Sequence, residues 1–471
     1  MKAPGSPVRA RLTACLPGAR WRGHLRPSFA HGRLASIVIL LSLAIFLLVK
    51  LEYRLPHSNA ALYAYGVTVT AIVFMQMAFA MLRYSDPALI AAPKPLTAPP
   101  PLVSCMVAVH NEADIIAQCV HSLLAQSYAE CEVIIVDDAS TDETPDILAR
   151  LAGEHPIQVI SLERNVGKKR ALGAAILRAR GDIYAFSDSD SVWAPDALER
   201  SVRIFRSAPD IGAVSGHCRA LNANATLLTK IQDSWYEGQF SVRKAFESVF
   251  GSVSCVSGPL AVFRKEAIRN FIPAWMDDRF LRQEFRFATD RTLTAYVLAD
   301  QRRAEKLKAG HRGSPFLEAD YGYTRWRTVY SKSVRAWTAV PSSFRTLIKQ
   351  QVRWKKSFLR NLWFTGGFYW RRPFPVALNY YLHVLFVLAG PFVAFRHLIY
   401  LPLHGNVESG LLYLAGIAVI GSMFALAFRH EEPNSTRWVY RPLMSLLSTL
   451  VLSWLVFYSI LTIKKMTWSR A

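Results

Sequence analysis

Uncharged stretches divide the chain into apolar ends and a mixed centre. Five of them have about the length that a helix needs to cross a bilayer, roughly 20 residues. They run between Arg33 and Lys50, from Ala60 to Leu82, from Pro373 to Phe395, from Ser409 to Phe428 and from Pro442 to Ile463. The pattern predicts two transmembrane helices over residues 34–82 and about three over residues 373–471.

The cations at the two ends predict the orientation of these spans. Residues 1–33 contain lysines and arginines and no acid, so this basic arm and the central region are expected in the cytoplasm. A cleavable signal peptide is the weaker interpretation of the first span, because the leader is long and no A-x-A site follows. Lys464, Lys465 and Arg470 disfavour an external C-terminus. Either one segment is therefore re-entrant or interfacial, or a sixth crossing lies near residues 397–404.

The central region alternates between two kinds of apolar pattern. Four β-branched apolar runs end in polar residues: "LVSCMVAVHNE", "CEVIIVDDAS", "IQVISL" and "IYAFSDSD". Helical patterns follow them, and they predict helices over residues 112–126, 144–151, 168–180 and 195–205. Apolar strands that alternate with helices are typical of a doubly wound, mostly parallel α/β sheet. Such sheets bind ligands at the carboxyl ends of their strands.

Composition sets the borders of this domain. The proline-rich segment "AAPKPLTAPPP" predicts a stiff spacer after the second span. The α/β domain is expected to occupy residues 83–344, on the cytoplasmic side. Residues 345–372 mix cations with aromatic residues, so we expect amphipathic helices there, at the membrane interface.

Charge narrows the class of partner. Hydrophobic residues make up 52% of the chain and charged residues only 19%, which agrees with a partly membrane-embedded protein. The formal net charge of +22 favours nucleic acid, an anionic membrane surface or a phosphorylated substrate. Nucleic acid ranks last, because the cations cluster beside the spans and no reader motif is present. The six cysteines lack CxxC or metal-ligand spacing, which predicts neither a disulfide framework nor a zinc site.

Two pairs of acids follow predicted strands. Asp137 and Asp138 end one strand, where carboxylates can accept hydrogen bonds from a base or a ribose. Asp188 and Asp190 end another, and in extended backbone residues two apart point to the same side. Two such carboxylates suit Mg²⁺ or Mn²⁺ bridging to a nucleotide diphosphate. Strand termination and helix capping are the simpler explanation of each pair alone.

Two predicted helix starts carry further polar residues. The chain has no G-x-x-x-x-G-K-[ST] phosphate loop. Lys168, Lys169 and Arg170 nevertheless open a helix after a strand, where cations and free N–H groups can meet phosphate; an exposed basic turn is the alternative. Asp290, in "ATDRTLT", is a candidate general base for a sugar hydroxyl, although a lone aspartate is usually a helix cap.

Five motifs in order then carry a resemblance to a known family. They are "VDDAS", "SDSD", "VSGPLAVFRK", "TDR" and "QQVRW". This series resembles the processive family 2 glycosyltransferases, which include hyaluronan, chitin and cellulose synthases. The stretches "GHCRALNANATLLTKIQDSWYEGQFSVRKAFES" and "CVSGPLAVFRKEAI" are most similar to bacterial hyaluronan synthases.

The resemblance implies a GT-A nucleotide-sugar domain and a role for each motif. Asp137 and Asp138 are expected near uracil and ribose, with Lys168 beside them. Asp188 and Asp190 are expected to hold Mg²⁺ or Mn²⁺ and the UDP diphosphate.

The resemblance also implies which residues act on the acceptor sugar and which surround it. Asp290 is expected to deprotonate the acceptor hydroxyl, and Gly258, Pro259 and Leu260 are expected to border the acceptor site.

Gln350, Arg353 and Trp354 match the QxxRW signature of that family. At i, i+3 and i+4 they share one face of a helix. Gln350 is expected in the nucleotide-sugar site. Arg353 can neutralise charge on the leaving diphosphate, and Trp354 can stack on a sugar ring. Interfacial anchoring by Trp and Arg is the alternative.

The implied activity is polymerisation of UDP-GlcNAc and UDP-GlcUA by inverting transfer, in the plasma membrane, with export of the polysaccharide through the spans. The alternatives are a single-sugar, chitin-type synthase, a transferase acting on a lipid carrier and a catalytically silent scaffold that binds anionic lipid. Three features depart from the family: Thr289 before Asp290, an insertion over residues 301–320, and Asn361 where an acid is common. The identity of the sugars and the oligomeric state are left open.

Overall fold

A computed structural model describes residues 29–52, 60–91 and 99–465. Most of the basic arm, part of the proline-rich spacer and the C-terminal tail with Arg470 lie outside these residues, so the predictions made for them stay predictions. The strands are β1 (Val103–Val109), β2 (Cys131–Asp137), β3 (Ile157–Ser161), β4 (Ile183–Asp188), β5 (Ser191–Trp193), β6 (Ile211–Ala220), β7 (Ala261–Arg264), β8 (Arg279–Phe280), β9 (Gln283–Glu284) and β10 (Arg327–Thr338).

Helices flank the strands and form both ends of the described chain. They are α1 (Phe29–Glu52), α2 (Ala60–Leu82), α3 (Pro87–Ile90), α4 (Ile116–Leu124), α5 (Thr144–Glu154), α6 (Lys168–Arg178), α7 (Ala197–Ser207), α8 (Leu227–Gly238), α9 (Ala245–Val249), α10 (Lys265–Ile268), α11 (Ile272–Met276), α12 (Thr289–Leu298), α13 (Gln301–Ala309), α14 (Phe344–Thr365), α15 (Phe374–Phe395), α16 (Leu401–Leu403), α17 (Val407–Glu431), α18 (Arg441–Leu450) and α19 (Leu455–Leu461). A π-helical turn over Gln239–Lys244 joins α8 to α9.

The central domain is built on one eight-stranded sheet in the order β3-β2-β1-β4-β7-β6-β10-β5. Strands β3, β2, β1 and β4 are parallel neighbours, as are β6 and β10. Strands β7 and β5 run antiparallel to their neighbours. Strand β1 is buried at every position, because helices cover both faces of the sheet. The predicted doubly wound, mostly parallel α/β sheet is therefore confirmed.

The register of the parallel strands brings the two acidic pairs to one edge. Asp137 lies opposite Val109, and Asp188 lies opposite Ala108 of the same central strand. The four helices predicted beside these strands are present, with ends shifted by a few residues, as α4, α5, α6 and α7. Local periodicity thus predicted the part of the fold that positions the acids.

Four helical segments are long and apolar enough to cross a membrane: Leu34–Glu52, Leu62–Ile90, Phe374–Leu403 and Val407–Glu431. The fifth predicted span is a bent pair, in which Arg437–Leu450 and Leu452–Leu461 meet at 41°. That bend fits a broken span or a re-entrant loop. Residues 396–403 continue the third segment as a π-helical turn and α16. Because these residues belong to the same helical segment as Phe374, they add no further candidate span, and the alternative of a sixth crossing there stays a prediction.

Helix α14 lies between the sheet domain and the bent pair. Its N-cap is Ser343, whose hydroxyl accepts a hydrogen bond from the Thr346 N–H. Leu347 is buried in a cluster with Met444 and Leu452 of the bent pair. This packing positions the signature residues of α14 over the end of the sheet.

Candidate active site

A cavity of about 740 Å³ opens where β2 and β4 end and extends to α15. The predicted site residues that line it are Asp138, Lys168, Asp188, Asp190, Gly258, Pro259, Asp290, Gln350, Arg353 and Trp354. Asp137 and Leu260 do not line it. One space therefore joins residues from distant parts of the chain.

The first acidic pair is held by backbone donors. The N–H groups of Val166 and Gly167 donate to the two carboxylate oxygens of Asp138, at 2.7 and 2.9 Å. Asp137 is buried below it, and its Oδ1 accepts from the Ser140 N–H at 3.1 Å. Asp138 thus fixes the loop that leads into α6, and Asp137 fixes the turn after β2.

The second acidic pair shares the cavity with a lysine. The Lys168 ammonium forms an ion pair with Asp188. Asp190 is buried, and the hydroxyl of Thr338 on β10 donates to its Oδ1 at 3.1 Å. Burial raises the pKa of the Asp190 carboxyl to about 6, and the nearby charge of Asp188 adds to the shift.

The second acidic pair could supply only some of the ligands that a hard divalent cation needs. Among the described residues no group of three or more His, Cys, Asp or Glu side chains could enclose a metal ion. Asp188 and Asp190 offer carboxylate oxygens, the donors that Mg²⁺ and Mn²⁺ prefer. A diphosphate and water would have to supply the remaining oxygens, which is the usual arrangement for Mg²⁺ bound with a nucleotide.

Gly258 lies between the second acidic pair and the candidate base. A Cβ atom on Gly258 would come within 2.9 Å of Asp188 Oδ1, so only glycine permits this close approach. The Gly258 N lies 3.4 Å from Asp290 Oδ2 on the other side. Ala288, with a φ of 61°, turns the chain in the left-handed region just before α12 and so directs Asp290 toward Gly258.

Helix α14 supplies the opposite wall. Burial lowers the pKa of the Arg353 guanidinium, and the charges of Asp188 and Asp190 oppose that shift, so Arg353 lies within electrostatic range of the second acidic pair. The ring centroids of Trp235 and Tyr236 lie 5.6 and 6.5 Å from that of Trp354. The Trp354 side chain is still 37% exposed, which leaves ring surface available to a ligand.

Pro259 and Leu260 occupy different positions relative to the cavity. Pro259 lines it, and its carbonyl accepts a hydrogen bond from the Trp193 indole N–H at 2.7 Å. Leu260 is fully buried, with its side chain against Gly216. Leu260 therefore packs in the core below the cavity rather than at its border.

Sequence reasoning missed residues on the π-helical turn. Lys244 lines the cavity and donates to the Ser215 and Ser257 hydroxyls at 2.8 and 2.5 Å. Burial lowers the pKa of its ammonium. The adjacent aromatics Trp235 and Tyr236 were a usable signal for this wall, whereas the π-helical turn has no sequence signature.

A buried ionic triad joins the two walls and was also missed. Asp278 accepts from Lys169 on α6 at 2.7 Å and from Arg360 on α14 at 2.5 Å. Its side chain is almost completely buried. The helix that begins at Lys168 and the helix that carries Arg353 are thus tied to the same carboxylate.

Comparisons with known proteins agree with this geometry. Residues 104–271 match the family described as "Glycosyl transferase family 2". A hyaluronan synthase from Streptococcus pyogenes is 28% identical over 378 residues, or 78% of this chain and 82% of the relative. An N-acetylglucosaminyltransferase from Rhizobium meliloti is 32% identical over 308 residues, or 64% and 66% of the two chains.

One solved structure shares the fold. A mannosyltransferase from Pyrobaculum calidifontis, in complex with GDP-Man and Mn²⁺, superposes with a TM-score of 0.50 at 22% identity, covering 83% of this chain and 99% of that one. Together with the matched residues, this shared fold confirms the expected GT-A domain. The chain therefore carries a glycosyltransferase domain of family 2, set among apolar helices that can cross a membrane.

Proposed function

We propose that the protein is a membrane-embedded, processive β-glycosyltransferase that polymerises sugars from UDP-sugars, as hyaluronan synthases do from UDP-GlcNAc and UDP-GlcUA. The observation that carries the proposal is the position of Gly258. A Cβ atom there would come within 2.9 Å of Asp188 Oδ1, and its N lies 3.4 Å from Asp290 Oδ2. Metal-binding acid and candidate base therefore flank one point of a cavity that continues between apolar helices.

The donor is held at the sheet edge in this proposal. Asp138 lies nearest the uracil and ribose, Asp137 supports it from below through the turn after β2, and Lys168 lies beside the phosphates. Asp188 and Asp190 would hold a divalent cation, Mg²⁺ or Mn²⁺, which supplies charge neutralisation for the diphosphate when bound. Gln350 completes the nucleotide-sugar site from α14.

Transfer follows from the position of the base. Asp290 removes the proton from the acceptor hydroxyl, and the oxygen attacks the anomeric carbon as the bond to UDP breaks. Attack from the face opposite UDP inverts the configuration and forms a β-linkage. Arg353 stabilises the negative charge that develops on the leaving diphosphate. Trp354, Gly258 and Pro259 border the acceptor sugar.

The surroundings of the site support synthesis coupled to export. The cavity is lined on one side by β-sheet residues and on the other by Asn379, His383 and Phe386 of α15. We propose that the domain of residues 83–344 and the basic arm are cytoplasmic, that residues 345–372 lie at the interface, and that the spans of the plasma membrane enclose the departing polymer.

A single-sugar, chitin-type synthase is the second candidate, because the relative from Rhizobium meliloti is an N-acetylglucosaminyltransferase. Membranes that contain the protein should be incubated with UDP-GlcNAc alone, UDP-GlcUA alone and both, with Mg²⁺, Mn²⁺ or a chelator. Polymer from both donors only would support hyaluronan, and polymer from UDP-GlcNAc alone would support the second candidate. Transfer of one sugar to a lipid, or no transfer, would refute the proposed polymerisation.

A further inference from the structure

Gln351 follows the signature glutamine and has an unsatisfied donor. Its side chain is only 7% exposed, yet it lines the cavity. Within the described chain its amide nitrogen Nε2 has no hydrogen-bond partner. A buried amide without a partner is costly, so this group is expected to meet a ligand.

Lys355 lies one helical turn after Gln351 and lines the same cavity. Residues at i and i+4 are neighbours on one helix face. Burial lowers the pKa of the Lys355 ammonium to about 8, and no described carboxylate forms an ion pair with it. Two residues on one face of α14 that line the cavity therefore carry N–H donors with no acceptor among the described residues.

The other polar residues that line the cavity indicate which ligand would meet this pair. The part of the cavity wall contributed by the bent helix pair and α15 includes Ser448, Ser453 and His383. Arg243 and Arg291 lie within electrostatic range of His383, as does Lys355. This half of the cavity is thus polar and cationic, although apolar helices surround it. Such walls suit an extended molecule that carries many oxygen atoms.

We propose that Gln351 and Lys355 form a binding subsite for the growing glycan on α14, in the cavity that Trp354 also lines. This proposal rests on the proposed function and adds a place where the polymer is held between transfers. The Gln351 amide donates to a hydroxyl or ring oxygen, and the Lys355 ammonium donates to a hydroxyl or to a carboxylate where the sugar has one. Such contacts slow release of the chain and lengthen the product.

The test measures retention and length of the product. Full-length protein in nanodiscs receives the donor mixture that supports polymer in the wild type, with one donor radiolabelled. After affinity purification, the bound fraction of label and the length distribution are determined. The variants are Gln351→Leu, Lys355→Met and the conservative Lys355→Arg. Lys349→Met removes a cation from the same helix at a position outside the cavity and is the matched control.

Retention and mean length should each fall roughly threefold to tenfold in Gln351→Leu and Lys355→Met, as expected for the loss of one hydrogen bond. Lys355→Arg should restore most of the retention, and Lys349→Met should match the wild type. Affinity for UDP identifies folded variants, and Lys355→Gln replaces Lys355→Met if the latter has lost it.

Wild-type retention in folded Gln351→Leu and Lys355→Met variants would overturn the subsite and leave the proposed function intact. Absence of polymer from the wild type would overturn both. The nanodiscs are prepared from phosphatidylcholine alone and with added phosphatidylglycerol. If the variants differ from the wild type only with the anionic lipid, the ligand of Lys355 is a lipid headgroup and the subsite is likewise overturned.

Discussion

The two halves of the cavity differ in how their polar groups are satisfied. At the sheet edge, Asp138 accepts from two backbone N–H groups and Lys168 is paired with Asp188. In the other half, Gln351 Nε2 on α14 has no partner among the described residues, and no described carboxylate forms an ion pair with Lys355. The sheet edge is therefore ordered before any ligand arrives, whereas the membrane half is left with open donors.

This difference agrees with two kinds of ligand. A nucleotide that must react in one pose is best served by a site whose dipoles are fixed in advance. A polymer that advances by one sugar at a time needs contacts that it can make and break repeatedly. Three substitutions and one pH profile test this division, beginning with the largest expected effect on the reaction rate.

Asp290→Asn should abolish most sugar transfer and leave UDP binding unchanged. Loss of a positioned general base costs about 10²-fold to 10⁴-fold in rate, while UDP remains bound at the sheet edge. Sugar incorporation and UDP affinity are measured in parallel. Asp277→Asn changes an exposed acid outside this cavity and should behave as wild type; turnover of Asp290→Asn at the wild-type rate would remove Asp290 from its role.

Arg353→Met should remove the cation that α14 directs toward the leaving diphosphate. Losing one preorganised donor to a developing negative charge costs about 3 kcal/mol in the transition state. We expect kcat to fall by the corresponding factor, roughly a hundredfold, with little change in KM for the UDP-sugar. Arg345→Met, at an exposed position of the same helix, is the control. A change confined to KM would instead assign Arg353 to ground-state binding.

Asp278→Asn should break the buried ionic triad that joins α6 to α14. The substitution leaves Lys169 and Arg360 buried without their counter-charge, and breaking a buried ion pair costs about 3–5 kcal/mol. Thermal unfolding in detergent should show the loss. Asp320→Asn breaks only the exposed pair with Lys308, which is worth about 0–1 kcal/mol. Equal unfolding temperatures for the two variants would contradict a tie through Asp278.

Lys355 on α14 lines the cavity. The pH dependence of polymer retention by the protein should show whether its ammonium binds the polymer. Because its pKa is lowered to about 8, the ammonium is present below that pH and is lost as pH rises through it. Retention of polymer should decline above pH 8 toward the level of Lys355→Met. His383 lies within electrostatic range of Lys355, and Arg243 and Arg291 lie within range of His383, so Lys355→Arg, which keeps its charge, is the control. An identical decline in Lys355→Arg would assign the pH effect to another group.

The alternating domain could be predicted because its signals are local. Runs such as "CEVIIVDD" are apolar at consecutive positions, and only a strand buried on both faces explains them. Asp188 and Asp137 could be placed at one edge for the same reason, since parallel strands end together. Strand β7 was not anticipated, because it enters the sheet antiparallel between β4 and β6, and its pairing depends on residues far away in the chain.

The candidate site shows the same limit. Resemblance supplied the residues, but not that Leu260 is buried in the core while Lys244 reaches the cavity. Lys244 depends on the π-helical turn, which results from packing of the surrounding helices and not from a residue pattern. Ala288 likewise has a positive φ that its side chain does not favour, so tertiary contacts maintain it.

The amino-acid sequence by itself determined the membrane-flanked α/β architecture and the identity of the acids, because burial patterns and strand ends are encoded within short windows. Tertiary structure alone decided that Asp188 and Asp290 lie on either side of Gly258, that Asp278 joins α6 to α14, and that the buried Gln351 amide nitrogen has no partner among the described residues. These arrangements bring together segments that lie far apart in the chain. Patterns within a short window cannot predict such contacts, because they form only when the sheet and the apolar helices pack together.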